Sequence, residues 1–146
     1  MPSAKLRITK LYIENGFLQI EVSASNGVFM STIDTYLNFE ELEEFGRKLR
    51  DFGQSIKDEV ILEVGADNDD AYHYLFLRVY IYDNVGHAAL QVKMRRNGEP
   101  VVRATADFSM PTEIASLNRL GKNISEWNYL IENTLEHPFS FDLYNP

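Results

Sequence analysis

The alternation of apolar and polar side chains is clearest between Tyr72 and Tyr82. Side chains along a strand point to opposite faces in turn, so this segment predicts a strand with two unlike faces. The even positions form an aromatic face with Arg78 in its middle, which the chain itself, a ligand or a protein partner must cover. The other face is an aliphatic core stripe, made of Leu75, Leu77, Val79 and Ile81.

Three Asn-Gly pairs separate alternating runs and predict hairpin turns, at Asn15-Gly16, Asn26-Gly27 and Asn97-Gly98. A two-residue turn at Asn26-Gly27 places Ala24 opposite Phe29 on the core side. For the preceding strand, Leu6–Glu14, two alternatives remain open because either parity gives a core face. One buries Leu11 and Ile13, and the other buries Leu6, Ile8 and Tyr12.

The second half of the chain predicts four more strands, at 60–64, 72–82, 87–95 and from 99 to about 108. An acidic loop, Gly65–Asp70, lies between the first two of them. A three-residue loop with Gly98 in the left-handed conformation pairs Val92 with Val102 and keeps the apolar positions on one face.

Two helices are predicted. Asn38 is the N-cap of the first, and Glu41 three residues later completes a capping box. A second helix begins at Ser109 or Thr112, with Pro111 in its first turn. The segment 124–146 is too apolar for a free tail, and we expect it to wrap back onto the sheet.

These elements predict one α+β domain spanning 1–146, with a single antiparallel sheet of about seven strands in the order β-β-β-α-β-β-β-β-α. Both helices are expected on one face of that sheet. The 146 residues are 45% apolar and 25% charged, which suits a single core. The predicted parts are a strand meander at 5–37, a helix at 38–53, strands at 60–108, a helix at 109–123 and a wrapping tail at 124–146.

Composition narrows the classes of function. The chain has no cysteine, no signal-peptide pattern and no apolar run long enough to cross a membrane, so a cytoplasmic location is expected. The formal net charge is −8, with a pI of about 4.8. An acidic surface repels phosphate backbones and attracts basic proteins, so this charge favours a basic protein partner and disfavours nucleic acid.

Candidate chemistry is sparse, and we predict no catalytic residue, no metal site and no cofactor. No two of the three histidines have metal-ligand spacing. The acidic stretch Asp67–Asp70 resembles the start of a calcium loop, but Tyr72 stands where that loop needs glycine, so it is interpreted as a solvated loop. Arg78 leaves two alternatives open, an anion site or cation–π packing of Arg78 and Lys93 on the aromatic stripe.

Two amphipathic-helix motifs of this chain are similar to motifs of a known family. They are Phe39-Glu40-Glu41-Leu42-x-x-Phe45-x-x-x-Leu49 and the later Thr112-Glu113-Ile114-x-x-Leu117. In these motifs and in layout the chain resembles small bacterial single-domain proteins that include the WapI-type immunity proteins of polymorphic toxin systems. The resemblance implies a non-catalytic protein that neutralises a toxin domain by occluding it.

The sequence therefore predicts a non-catalytic protein-binding domain, an immunity protein that binds a basic toxin domain, with no nucleic-acid partner and no membrane association. Two alternatives stay open: a small anionic ligand-binding protein or enzyme using the Arg78 face, and an interaction or scaffold domain. The candidate partner-binding residues are Asp67, Asp69, Asp70, Tyr74, Arg78 and Tyr80.

Overall fold

The computed structural model describes residues 4–70 and 72–139 and has an α+β fold with antiparallel strands, as predicted. Its elements are β1 (Lys5–Glu14), β2 (Phe17–Ser25), β3 (Met30–Asn38), α1 (Phe39–Arg50), β4 (Glu59–Val64), β5 (His73–Ile81), β6 (Ala88–Arg96), β7 (Ala104–Thr112), α2 (Ile114–Glu126) and β8 (Thr134–Pro138).

The prediction of a single seven-stranded sheet is wrong. The first sheet has the order β3-β2-β1-β8 and the second the order β4-β5-β6-β7, and the buried residues of both belong to one core. Hairpin signals specify which consecutive strands pair, but they do not say whether strands on either side of a helix share a sheet. Here α1 separates β3 from β4, and each of these two strands is a sheet edge.

The tail contributes the eighth strand. β8 pairs antiparallel with β1, with Leu135 opposite Ile8 and His137 opposite Leu6. The tail therefore does return to a sheet, but to the first sheet and not to the aromatic face of β5. The remainder of the expected wrapping segment, 140–146, lies outside the described residues.

The first meander resolves the two alternatives left open for β1. Leu6 and Ile8 are buried, and a bulge between Lys10 and Tyr12 then shifts the register, so that Ile13 packs against the core beyond it. Each alternative is thus correct only in part, because an extra residue in one strand reverses the parity that follows. Leu11 and Tyr12, which the two alternatives placed in the core, are exposed.

The β2–β3 register differs from the predicted one by two residues. Ala24 pairs with Ser31 and not with Phe29, because residues 26–29 form a four-residue loop. The side-chain oxygen of Asn26 accepts hydrogen bonds from the backbone N–H groups of Val28 at 3.0 Å and Phe29 at 2.8 Å, which holds that loop. Phe29 is therefore exposed in a loop and not in the core.

The β6–β7 register also differs. Gly98 has the expected positive φ, 134°, but Arg96 pairs with Ala104, so the loop spans 97–103 and Val92 faces Phe108 instead of Val102. β7 consequently continues to Thr112, and Pro111 lies in this edge strand and not in a helix. The predicted helix at 109–123 is displaced to Ile114–Glu126.

The helices pack against each other. The capping box between Asn38 and Glu41 is present at the start of α1, as predicted. Gly46 approaches α2 and not the sheet, since a Cβ there would lie 2.8 Å from a methyl of Ile124. A Cβ at Gly121 would lie 2.5 Å from the backbone nitrogen of Arg50, so this crossing needs glycine on both helices.

The aliphatic stripe of β5 is in the core as predicted. Leu75, Leu77 and Val79 have no solvent exposure, and Ile81 at the strand end is only partly buried. Across the described residues, no helix is both long and apolar enough to span a membrane.

Candidate functional site

On the aromatic face of β5, Arg78 makes an ion pair, a hydrogen bond and a cation–π contact. Its Nε donates to Glu59 at 2.6 Å, and one terminal nitrogen donates to the side-chain oxygen of Gln91 at 3.0 Å. The guanidinium carbon lies 4.0 Å from the centre of the Tyr80 ring. Arg78 is therefore held by a cation–π contact and by an ion pair with Glu59, which supports the packing alternative over a vacant anion site.

The neighbouring polar groups on this face are also paired. Tyr80 and Ser109 share a hydrogen bond between their hydroxyls at 3.3 Å, and Gln91 donates to Asp107 at 3.0 Å. Tyr74 is buried and donates to Glu63 at 2.6 Å. Burial, together with that hydrogen bond, raises the pKa of Tyr74 well above its usual range.

The acidic loop Gly65–Asp70 folds onto two cations of β6. Asp67 accepts hydrogen bonds from Lys93 at 2.8 Å and Arg95 at 3.3 Å, and Asp69 pairs with Arg95. The hydrogen bond from Lys93 lowers the pKa of Asp67. Two of the three carboxylates of this loop are thus paired within the molecule, whereas Asp70 is exposed and makes no ion pair among the described residues.

The structure therefore places all six predicted partner-binding residues on or beside the outer face of the second sheet. Asp70 is exposed, and its backbone N–H donates to the Asn68 side chain at 2.9 Å. That these residues contact a partner stays a prediction. We refer to this surface, formed by Glu59, Tyr74, Arg78, Tyr80, Gln91, Lys93 and Arg95, as the Arg78 face.

The histidines are held by structural contacts. His73 hydrogen-bonds the backbone oxygen of Asp34 at 2.7 Å, and His87 pairs with Asp83. His137 is buried, with its Nε2 3.0 Å from the Ser116 hydroxyl. Desolvation lowers the pKa of His137, so the pair joins β8 to α2 in its neutral form.

A different region remains open, where the first sheet crosses the second. β3 and β7 are both edge strands. β3 is tied across the ends of the second sheet by His73 at Asp34 and by a hydrogen bond from Ser31 to the sulfur of Met94 at 3.2 Å. The groove between the two edges is here called the seam groove. Its principal walls are Phe29, Met30, Arg96, Thr105, Ala106 and Phe108.

The seam groove is formed by two adjoining hollows of about 400 and 350 Å³, which share Met30, Thr105 and Ala106. Phe29 is 60% exposed and Met30 65% exposed. The rings of Phe29 and Phe108 are stacked, with centroids 6.5 Å apart and planes 28° apart. A flat apolar ring could lie against these walls without moving the backbone.

Positive charge lies at one end of the seam groove. Arg96 lines it, and Arg103 lies next to Ala104, the residue that pairs with Arg96. Both arginines are exposed, and within 4–70 and 72–139 neither makes an ion pair. Tyr72, also exposed, precedes the residue opposite Arg96 and donates to Asp34 at 2.9 Å. This end of the groove combines free cations with an aromatic ring.

Sequence reasoning missed this groove for a local reason. The assumed two-residue turn put Phe29 on the core side, and the assumed three-residue loop put Val102 in a strand. The available signal was the polar tripeptide Ser25-Asn26-Gly27 directly before three apolar residues, Val28, Phe29 and Met30, since Asn and Ser side chains often hold wider turns.

Comparison with known proteins yields structural matches only. No family model matches the sequence, and no curated protein matches it significantly. The plant transcriptional regulator PBF-2 is similar over 84% of this chain and 74% of its own, with 9% identity and a TM-score of 0.47. WHY3 from Arabidopsis thaliana is similar over 86% of this chain and 83% of its own, with 9% identity and a TM-score of 0.41.

Two predictions are corrected here. The comparisons do not bear out the predicted toxin-neutralising immunity function: the two structures named above are plant proteins, and one of them is a transcriptional regulator. Nor do they bear out the predicted basic toxin partner or the predicted exclusion of nucleic acid. One physical ground for that partner is also weaker than expected, because Asp67 and Asp69 of the acidic loop are already paired with Lys93 and Arg95. The layout resemblance to WapI-type proteins stays a prediction.

Proposed function

We propose that the protein binds single-stranded nucleic acid in the seam groove. The observation that carries this proposal is an exposed ring beside free cations. The Phe29 ring is exposed and stacks on the partly buried Phe108 ring. Arg96 lines the same groove and Arg103 lies in the loop just before β7, and neither makes an ion pair within the described residues. Proteins that hold single strands combine aromatic side chains, on which bases stack, with cations that follow the backbone. The proposal rests on the groove alone, because a likeness at 9% identity identifies no shared function.

The net charge of −8 does not oppose this assignment, because it sums over the whole surface. Several carboxylates lie on α1, at Glu40, Glu41, Glu43 and Glu44. Asp107, which borders the groove, accepts the Gln91 amide hydrogen bond. The logarithm of the binding constant should fall linearly with the logarithm of the salt concentration. With two free arginines the slope should be roughly −1.4, or about −0.7 for each phosphate contact.

A single strand fits this groove better than a duplex. Stacking on Phe29 needs an unpaired base with an accessible face, and a base inside a duplex offers none. The groove is also bounded by two sheet edges, so a strand that lies in it passes within reach of unpaired backbone groups of β7, which pairs with β6 alone.

Fluorescence anisotropy of a labelled oligothymidylate tests the proposal. We expect saturable binding of the single strand at low salt, weaker binding of a duplex of the same length, and a salt slope near the value above. Phe29→Ala should weaken binding about tenfold, in line with the loss of one base–aromatic stack. Arg96→Gln should reduce the salt slope by about 0.7.

Matched variants control for nonspecific effects. Leu130→Ala removes another exposed apolar side chain, and Lys122→Gln removes another exposed cation, both away from the groove. Neither should change the affinity. Equal binding of duplex and single strand, or an equal loss in Lys122→Gln and Arg96→Gln, would show that the interaction is not located in the seam groove.

A further inference from the structure

A second open hollow lies on the outer face of the first sheet, separate from the seam groove. It has a volume of about 470 Å³. Three aromatic rings border it, those of Tyr12, Phe17 and Tyr36, and each is more than half exposed. The described part of the chain leaves all three open to solvent, although aromatic side chains are usually covered in a folded domain.

Strand register explains how the three rings surround one point. Tyr12 and Tyr36 are both paired with Gln19, one from each side, so the three residues form a row across β1, β2 and β3. Phe17 is two residues before Gln19 and shares its face. Because neighbouring strands lie about 4.8 Å apart, a group centred above Gln19 has a tyrosine at about 5 Å on each side.

The polar atoms around the hollow are negative or neutral. Glu14 and Asn15 complete its border, and among the residues that the structure describes no lysine or arginine lines it. The amide nitrogen of Gln19 donates to Asp34 at 3.3 Å, which leaves the Gln19 carbonyl oxygen as an acceptor in the floor. The site therefore offers three aromatic rings, a carboxylate and a carbonyl oxygen.

We propose that this hollow binds an organic ammonium cation, of the class that carries alkylated nitrogen. Ring faces carry negative electrostatic potential, and a cation within about 6 Å of a ring centroid is attracted to it. Alkyl groups on the nitrogen also bury apolar surface against the rings, and Glu14 supplies the counter-charge. An anion would be repelled by Glu14 with no lysine or arginine among the described lining residues to offset it, and a neutral molecule would gain no charge attraction.

A contact on the far side of Tyr36 supports the site as a built arrangement. The Tyr72 ring packs against Tyr36 with centroids 5.6 Å apart, and the Tyr72 hydroxyl donates to Asp34, the same carboxylate that holds Gln19. One hydrogen-bonded unit thus positions both the wall and the floor of the hollow, which reduces the ordering cost of binding.

Titration with choline, followed by proton NMR, tests the proposal. The choline methyl resonance should move upfield because of the aromatic ring currents, and binding should saturate. The neutral isostere 3,3-dimethylbutan-1-ol has the same shape without the charge, so we expect it to bind at least fivefold more weakly. Tyr12→Leu should weaken choline binding about three- to tenfold, whereas Tyr12→Phe, which keeps the ring face, should retain most of it.

Two further variants separate the site from general surface effects. Glu14→Gln should weaken the binding of choline and leave the binding of the neutral isostere unchanged. Tyr82→Leu removes an exposed tyrosine that follows β5 directly, and it should change the affinity for neither ligand. Equal affinity for choline and the isostere, or equal affinity in the wild type and Tyr12→Leu, overturns the proposal. Neither result bears on binding of single strands in the seam groove, so the two proposals fail independently.

Discussion

The Arg78 face and the seam groove contain the same kinds of side chain, but their arginines differ in whether they have ion-pair partners. Both place arginine beside aromatic rings. On the Arg78 face each cation has a partner, as Arg78 has in Glu59 and Gln91. Arg96, which lines the seam groove, and Arg103, in the loop before β7, have no ion-pair partner within the described residues. A cation that already holds a carboxylate gains little from a phosphate, because one hydrogen-bonded ion pair must be broken to form the other.

The difference follows from sheet topology. β5 and β6 lie inside the second sheet, so each residue on their outer face has cross-strand neighbours on both sides that can supply a partner. Arg96 is the last residue of β6, and Arg103 lies in the loop before β7. Both arginines are therefore at the end of the sheet, where fewer neighbouring side chains can supply a partner.

The largest expected effect is a loss of stability, which should follow a substitution in the core but not one in the seam groove. Leu77→Ala, which empties a fully buried position directly beneath the Arg78 face, should lower the free energy of unfolding by about 2–5 kcal/mol. Phe29→Ala should change it by less than about 0.5 kcal/mol, because the ring is exposed. Urea unfolding measures both. A loss above 2 kcal/mol in Phe29→Ala would mean that the ring belongs to the core.

A smaller effect compares the two arginines directly. Arg78→Gln breaks a partly exposed ion pair and should cost about 1 kcal/mol or less of stability, with no change in oligonucleotide affinity. Arg96→Gln should leave stability unchanged and weaken binding. If Arg78→Gln weakens binding as much as Arg96→Gln does, the nucleic acid extends onto the Arg78 face.

The smallest effect concerns the buried pair of His137 and Ser116. Desolvation, with Arg119 as a further cause, lowers the folded-state pKa of His137 below its usual 6.5. Below that pH the unfolded chain binds a proton that the folded chain does not, so stability should decrease as the pH falls through 6.5 and should be constant above it. Urea unfolding at pH 7.5 and 5.5 measures this decrease. It should shrink in His137→Gln and persist in His87→Gln, whose histidine is exposed.

Features specified by local signals were predictable from the sequence. The capping box at Asn38, the buried stripe around Leu77, and the pairing of Arg78 with Gln91 each depend on residues close in sequence or joined by one short turn. The choice between cation–π packing and an anion site at Arg78 needed the structure, because Glu59 reaches it from β4.

The strand registers and the division of the strands into two sheets were not predictable from the sequence. For the registers, the reason is that alternation specifies only which residues share a face. The β2–β3 pairing is displaced by two residues and the β6–β7 pairing by six, both even numbers, so the apolar face stays the same and the hydrophobic pattern cannot distinguish them. The seam groove depends on both displacements, since they expose Phe29 and place Ala104 beside Arg96. Its residues come together only through the crossing of two sheets.

Amide chemical-shift mapping with a single-stranded oligothymidylate tests most directly whether the seam groove, and not the Arg78 face, binds nucleic acid. We predict that the largest shifts occur at residues 29–33, at Arg96 and at 104–108, and that they are reduced in Arg96→Gln. Shifts concentrated at 74–80 and 89–93, or no shifts at low salt, would contradict the account.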